Sequence, residues 1–146
     1  MIVEEEQPAE PKPQKNNNKH MDNQLQTILI IDDDERNIFA LKAVLTAKGY
    51  QCSTAAGGMQ ALERLKNEKE ISIALVDMMM PDIDGYELMM LIKKMPSLQH
   101  IKLIAVTAQA MPGDKEKCLD AGADDYISKP VDVDTLLKIL DGINAN

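Results

Sequence analysis

Three uninterrupted aliphatic runs constrain this chain more than anything else in it: Ile28-Leu-Ile-Ile31, Ile73-Ala-Leu-Val76 and Leu103-Ile-Ala-Val106. A strand with one wet face alternates apolar and polar residues, whereas a run apolar at every position needs cover on both faces. Stretches of helical period separate the runs, the pattern of a parallel sheet with crossover helices. After the first run, Asp34 can cap a helix carrying Ile38, Leu41, Val44 and Leu45, and Lys48-Gly49 closes it. Tyr50 to Ala55 reads as a weaker strand, and Gly57-Gly58 as the turn into a helix with Met59, Leu62 and Leu65. The third strand runs from Ile71 to Asp77, and the loop Met78 to Gly85 leads into a helix with Leu88, Leu91, Ile92 and Met95, which Pro96 ends. The fourth strand ends in Thr107, Pro112 suits the first turn of the next helix, and Gly122 closes that helix. Tyr126-Ile127 makes a short fifth strand before Lys129-Pro130, and Asp132 caps a last helix with Val133, Leu136, Leu137 and Leu140 inward. The expectation is one α/β domain over residues 25–146, a doubly wound five-stranded parallel sheet.

Residues 1–24 differ in kind from the rest. They hold three of the seven prolines (Pro8, Pro11, Pro13), Asn16-Asn17-Asn18 and eight charged residues, with little that is large and apolar. Such a segment buries too little surface to offset ordering entropy, so it reads as a disordered tail or linker. The start Met1-Ile-Val-Glu-Glu-Glu6 lacks a secretory signal's basic and apolar regions, and no stretch approaches the ~20 apolar residues of a membrane helix. A cytoplasmic protein with no membrane insertion is expected.

In an open α/β sheet, ligands bind beyond the carboxyl ends of the strands, so what ends each strand decides the chemistry. The first strand ends in Asp32-Asp33, the third in Asp77, the fourth in Thr107 and the fifth in Lys129. Two carboxylates ~4 Å apart repel by roughly 4 kcal/mol at an effective dielectric of 20. A rim of that kind calls for a cation, and all-oxygen ligands select a hard one such as Mg²⁺. Carboxylates, Mg²⁺, a hydroxyl and a lysine suit phosphoryl transfer, in which cations and donors neutralise charge on the phosphoryl oxygens. One carboxylate can also be the nucleophile. Asp77 is the best candidate because it ends the central strand, and Asp32 and Asp33 look like the metal holders.

These residues carry a resemblance. Ile31-Asp-Asp-Asp34, Leu75-Val-Asp-Met-Met-Met-Pro-Asp-Ile-Asp-Gly85, Ala105-Val-Thr-Ala108 and Tyr126-Ile-Ser-Lys-Pro130 resemble the receiver domain of two-component response regulators, in order and over about residues 25–143. The resemblance implies a flavodoxin-like (βα)5 receiver fold. It makes Asp77 the phosphoacceptor, Asp33 a direct Mg²⁺ ligand supported by Asp32, and the backbone carbonyl of Met79 a further ligand. Lys129 would pair with the phosphoryl group, Thr107 would swing towards it, and Tyr126 would be the switch aromatic. The donor would be a phosphohistidine on a histidine kinase or histidine phosphotransfer protein. The output would be a change in the face built from the fourth helix, fifth strand and fifth helix. Asp114 to Tyr126 and the Met-rich loop are similar to receivers of hybrid histidine kinases, which would make the tail an interdomain linker; a single-domain regulator explains the same facts. Met79 and Gln109 occupy positions that tune phosphoryl lifetime in the family. An apolar Met79 cannot orient an attacking water, so a persistent phosphoryl group is expected.

Other function classes fare worse. With 16 Lys plus Arg against 24 Asp plus Glu, the net charge is −8, and only Arg36 and Arg64 are arginines, which speaks against nucleic acid. A dehalogenase-type phosphatase wants an acid two residues after its nucleophile, where Met79 stands. A flavodoxin wants aromatics beside its flavin, and this chain has no Trp. Cys52 and Cys118 have no zinc spacing. A pseudo-receiver that only binds partners would not need the complete acidic set. The reading is a signalling switch, its only chemistry its own phosphorylation and dephosphorylation, acting as a monomer or a weak phosphorylation-dependent dimer. Most methionines read as core padding, but the adjacent Met89 and Met90 cannot both face inward.

Overall fold

The structure, a computed structural model, describes residues 26–108 and 112–144. The proposed tail and Gln109 lie outside the described residues. The elements follow in strict alternation: β1 (Thr27–Ile31), α1 (Glu35–Ala47), β2 (Gln51–Ala55), α2 (Gly58–Asn67), β3 (Ile71–Asp77), α3 (Gly85–Lys94), β4 (Lys102–Thr107), α4 (Asp114–Asp120), β5 (Asp125–Ser128) and α5 (Val133–Asn144). A short 3-10 turn, Pro96–Leu98, joins α3 to β4.

All strand pairs are parallel, in the order β2-β1-β3-β4-β5. The chain therefore steps outward from β1 to β2, then reverses across β1 to β3 and continues to β5. Because crossovers are right-handed, that reversal sends later helices to the opposite face. Two cores result. Alternate residues Ile28, Ile30, Ile73, Leu75, Ile104 and Val106 meet Leu41 and Leu45 of α1 and Leu136 and Leu140 of α5. Their neighbours Leu29, Ile31, Ala74, Val76, Leu103 and Ala105 meet α2, α3 and Cys118 of α4. The period-2 alternation of a strand thus feeds two helical layers at once, which is why the runs had to be apolar throughout.

The element pattern read from the sequence holds, with two local corrections. Met59 is not an inner residue of α2. Gly58, Ala61, Leu62 and Leu65 form the buried stripe at i, i+3, i+4 and i+7, and Met59, one step round from Gly58, faces solvent. Pro112 does not open α4 either. Gly113 at φ +83° is the residue before the helix, and a left-handed backbone there prevents the helix from running back to Pro112. Met89 is buried and Met90 exposed, as adjacency on one helix requires. Among the described residues, no helix is long and apolar enough to cross a membrane.

Candidate functional site

The reversal between β1 and β3 leaves a crevice at the strands' carboxyl ends, and the chain fills it with charge. Asp32 follows β1, its N–H donating to Ala55 O at 3.1 Å. Asp77 is the last residue of β3, aligned with Val106 of β4, so Thr107 stands one residue further out on the neighbouring strand. Lys129 follows β5, with its N–H on Thr107 O at 2.7 Å. Each side chain is placed by the end of a strand whose register is set by the core beneath it.

The rim is crowded and largely dry. Asp32 and Asp77 are each 2% exposed and Thr107 4%. Carboxylate oxygens of Asp32, Asp33 and Asp77 all lie within 4.8 Å of one another, with Asp33 exposed to solvent. The Lys129 ammonium sits 3.3 Å from Asp32 Oδ2 and 3.5 Å from Asp77 Oδ1. Asp32 is held further by Asp34 N–H at 2.9 Å and by the Asn37 amide. Met79 N–H donates to Asp77 Oδ1 at 3.1 Å, while the Met79 side chain is 69% exposed. Six buried side-chain atoms among the described residues have no hydrogen-bond partner, and two of them are at the rim: Asp77 Oδ2 and Thr107 Oγ1. Tyr126 is half-buried on β5 and packs on the α2–α3–α4 side of the sheet.

The electrostatics follow from that burial. Removal from water raises Asp77 most; Met79 N–H opposes the rise, the Asp32 charge adds to it and Lys129 again opposes it, leaving the carboxyl at about 6. For Lys129, burial works against the ammonium, but Asp77 and Asp32 outweigh it and hold the group above its ordinary value. One ammonium cannot neutralise three carboxylates. The surplus negative charge, the all-oxygen donor set and the unpartnered Asp77 Oδ2 together fit a small hard cation such as Mg²⁺.

Of the residues singled out in the sequence, Asp32, Asp33, Asp77, Met79, Thr107 and Lys129 lie at or beside this rim, while Tyr126 sits further down β5, level with Ala105 of β4. Two contributors have no role in the sequence reading. Asn37 supports Asp32 from the first turn of α1, a spacing that could have been read from the capped helix. Asp82 bonds to α2 across 24 residues of chain, and nothing local signals it.

Residues 28–141 match the family model described as "Response regulator receiver domain". The chain belongs to that family. Among its relatives, hybrid signal transduction histidine kinase I of Dictyostelium discoideum is 37% identical over 121 residues, covering 79% of this chain and 7% of the kinase. The polar-differentiation response regulator DivK of Brucella ovis is 33% identical over 114 residues, covering 78% of this chain and 92% of DivK. The chain thus spans a small fraction of the large kinase and nearly all of the small regulator. A solved receiver domain of a sensor histidine kinase from Pseudomonas aeruginosa PAO1 is similar at a TM-score of 0.72 and 33% identity, over 80% of this chain and 95% of that one. That protein was solved with a magnesium ion coordinated in its active-site cleft. The fold is the receiver fold, and this chain is a receiver domain of two-component signalling.

Proposed function

We propose that this receiver takes a phosphoryl group from a phosphohistidine onto Asp77, using Mg²⁺, and answers by changing its α4–β5–α5 face. The observation that carries the reading is the buried Asp77 carboxylate, one oxygen unpartnered, with Lys129 at 3.5 Å and two further acids beside it. Although raised to about 6, Asp77 is ionised at pH 7 by about 10 to 1 and can act as nucleophile. Its oxygen forms the new P–O bond as the P–N bond to the donor imidazole breaks, and the electron pair leaves with that nitrogen. Asp32, Asp33, Asp77 and the Met79 carbonyl would hold the Mg²⁺, which supplies positive charge to the phosphoryl oxygens. Met79 N–H orients Asp77, and Lys129 exchanges its carboxylate contacts for a phosphoryl oxygen.

Thr107 supplies the switch. Its hydroxyl is buried without a partner, so a phosphoryl oxygen on Asp77 offers the first hydrogen bond it can make. Turning the hydroxyl inward vacates space beside β5, and Tyr126, half-buried on that strand, follows. Partners would be a histidine kinase or histidine phosphotransfer protein, with no nucleic acid, in the cytoplasm, as a monomer or a weak phosphorylation-dependent dimer. The same chemistry serves a single-domain regulator or the receiver segment of a hybrid kinase, and the relatives include both kinds.

The test is intact mass after incubation with Mg²⁺ and acetyl phosphate, beside Asp77→Asn and a chelator control. The expected result is one phosphoryl group on the parent alone, and none when chelator is present during the incubation. No gain, where another receiver is phosphorylated by the same donor, overturns the reading.

A further inference from the structure

Asp82 stands outside the acidic cluster, on the exposed side of the loop that follows Asp77. Its carboxylate leaves the loop and grips another element. Oδ1 accepts from Gly58 N–H at 3.1 Å and Oδ2 from Met59 N–H at 3.2 Å, while Ile83 N–H adds a bond at 2.8 Å. These backbone donors hold the Asp82 carboxyl below its usual value. Helix α2 has no cap of its own, because Gly57 at the N-cap position has no side chain to offer. Its cap arrives from the loop of the functional site.

The two glycines make the approach possible. Gly57 has φ −169°, an extended backbone that any residue adopts, so conformation does not call for glycine there. Space does: a Cβ on Gly57 would stand 2.9 Å from Asp82 Oδ2, and one on Gly58 3.0 Å from Ile83 Cβ. The pair that reads in sequence as a plain turn is a socket for this loop.

Met79, Pro81, Asp82 and Asp84 are exposed, while Met80 is buried in the core and Ile83 packs against it, so side-chain burial anchors the loop on either side of Asp82 and leaves Met79 itself uncovered. Among the described residues, its hydrogen bonds to an element outside β3 and α3 are those of Asp82 to α2 and, at its first residue, that of Met78 N–H to Val106 O of β4 at 3.0 Å. That same loop carries Met79, whose N–H orients Asp77 and whose carbonyl is the proposed ligand. We propose that Asp82 is a positioning residue for the metal: seated in the Gly57-Gly58 socket, it fixes the Met79 segment against α2 so that the cation finds its carbonyl ready-placed. The inference rests on the Mg²⁺ reading above.

The probe is Mg²⁺ alone, titrated calorimetrically into the metal-free chain, with urea unfolding and the Mg²⁺ dependence of acetyl phosphate labelling alongside. Asp82→Ala should raise the Mg²⁺ dissociation constant roughly 3- to 10-fold, less than the roughly 10- to 100-fold of groups bonded directly to metal ligands, because Asp82 acts through the loop backbone. The half-saturating Mg²⁺ for labelling should move by the same factor, with the saturating rate within about twofold of the parent. Asp82→Asn keeps an acceptor and should recover much of the affinity. Gly57→Ala should reproduce the defect, and the double variant should be no weaker than the weaker single, since both remove one contact. A parent that takes up no Mg²⁺ overturns the reading beneath this one. A parent that binds, beside an Asp82→Ala variant that binds equally and only unfolds more easily, overturns the positioning role and leaves Asp82 a helix cap. If Asp82→Ala does not fold, Asp82→Asn and Gly57→Ala decide by the same measure.

Discussion

Replacing Asp77 by asparagine should stabilise the metal-free domain, and the gain should vanish in acid. The folded carboxyl sits near 6 against an ordinary 3.8, so between those values the native state holds a proton that the unfolded chain has released. Stability carried by a raised carboxyl is complete below the unfolded pKa and is lost as pH climbs through the folded one. The rise from 3.8 to about 6 corresponds to about 3 kcal/mol at pH 8, shrinking to about 1 kcal/mol at pH 4.5. The figure is net of Lys129, whose attraction already lowers Asp77. Asparagine keeps the size and an acceptor oxygen but carries no charge at any pH. Urea unfolding in EDTA, followed by far-ultraviolet circular dichroism because the chain has no Trp, should show Asp77→Asn more stable at pH 8 by that order. In melting temperature the rise would be roughly 10 °C. Millimolar Mg²⁺ should stabilise the parent by mass action and close much of the gap. Equal stability of the two proteins at pH 8 without metal, or an advantage as large at pH 4.5 as at pH 8, would refute the argument from buried charge.

Thr107→Val should leave stability within about 1 kcal/mol of the parent or above it, because the hydroxyl it removes is buried without a partner. The same variant should still take a phosphoryl group but lose the chemical-shift change of the Tyr126 ring on phosphorylation, read by NMR. Met79→Asn places a polar group where an exposed thioether now stands, and should shorten the aspartyl phosphate half-life about tenfold, measured by intact mass after donor removal. Tyr86→Phe removes a 3.1 Å bond from its hydroxyl to Asp114, the link between α3 and the start of α4, and should cost about 1 kcal/mol in urea unfolding.

Much of this was legible because the sheet is covered on both faces. A doubly buried strand must be apolar at each position, so Ile28–Ile31, Ile73–Val76 and Leu103–Val106 announce themselves, and the residues after them are the rim. Asp32, Asp77, Thr107 and Lys129 could therefore be named before any coordinate. Long-range contacts were not legible. Asp82 and Gly58 are 24 positions apart, and their bond exists only because β1 and β3 are neighbours. Met59 misled because a period counted from Leu62 and Leu65 fits either flank of the stripe, and only the packed helix shows that Gly58 takes the inner place. Pro112 misled because a proline that suits the first turn suits the turn before it equally, and the backbone of Gly113 chose between them.

The two orphaned rim atoms bear on why a stable core ends in an uncomfortable rim. Asp77 Oδ2 and Thr107 Oγ1 stand on neighbouring strands, β3 and β4, one residue apart in register. Each unsatisfied atom costs about 1–3 kcal/mol, to which the charge on Asp77 adds. The strands beneath are mostly aliphatic, though Thr27 of β1 and Ser72 of β3 also carry buried hydroxyls without partners, so it is the company of three acids and Lys129 that sets the rim pair apart. On the proposed function a ligand would pair them, because a phosphoryl group on Asp77 would bring oxygens for the Thr107 hydroxyl and a cation would balance the acids. The free energy gained by pairing those atoms would then be available to drive the switch, within the limit that a ligand moves an equilibrium only by its differential affinity. On that argument the phosphorylated domain should be the more stable one, and the step should shrink when Thr107 is replaced by Val. A stabilisation that survived that replacement in full would mean the hydroxyl is a passenger, and would assign the switch to the cation and Lys129 instead.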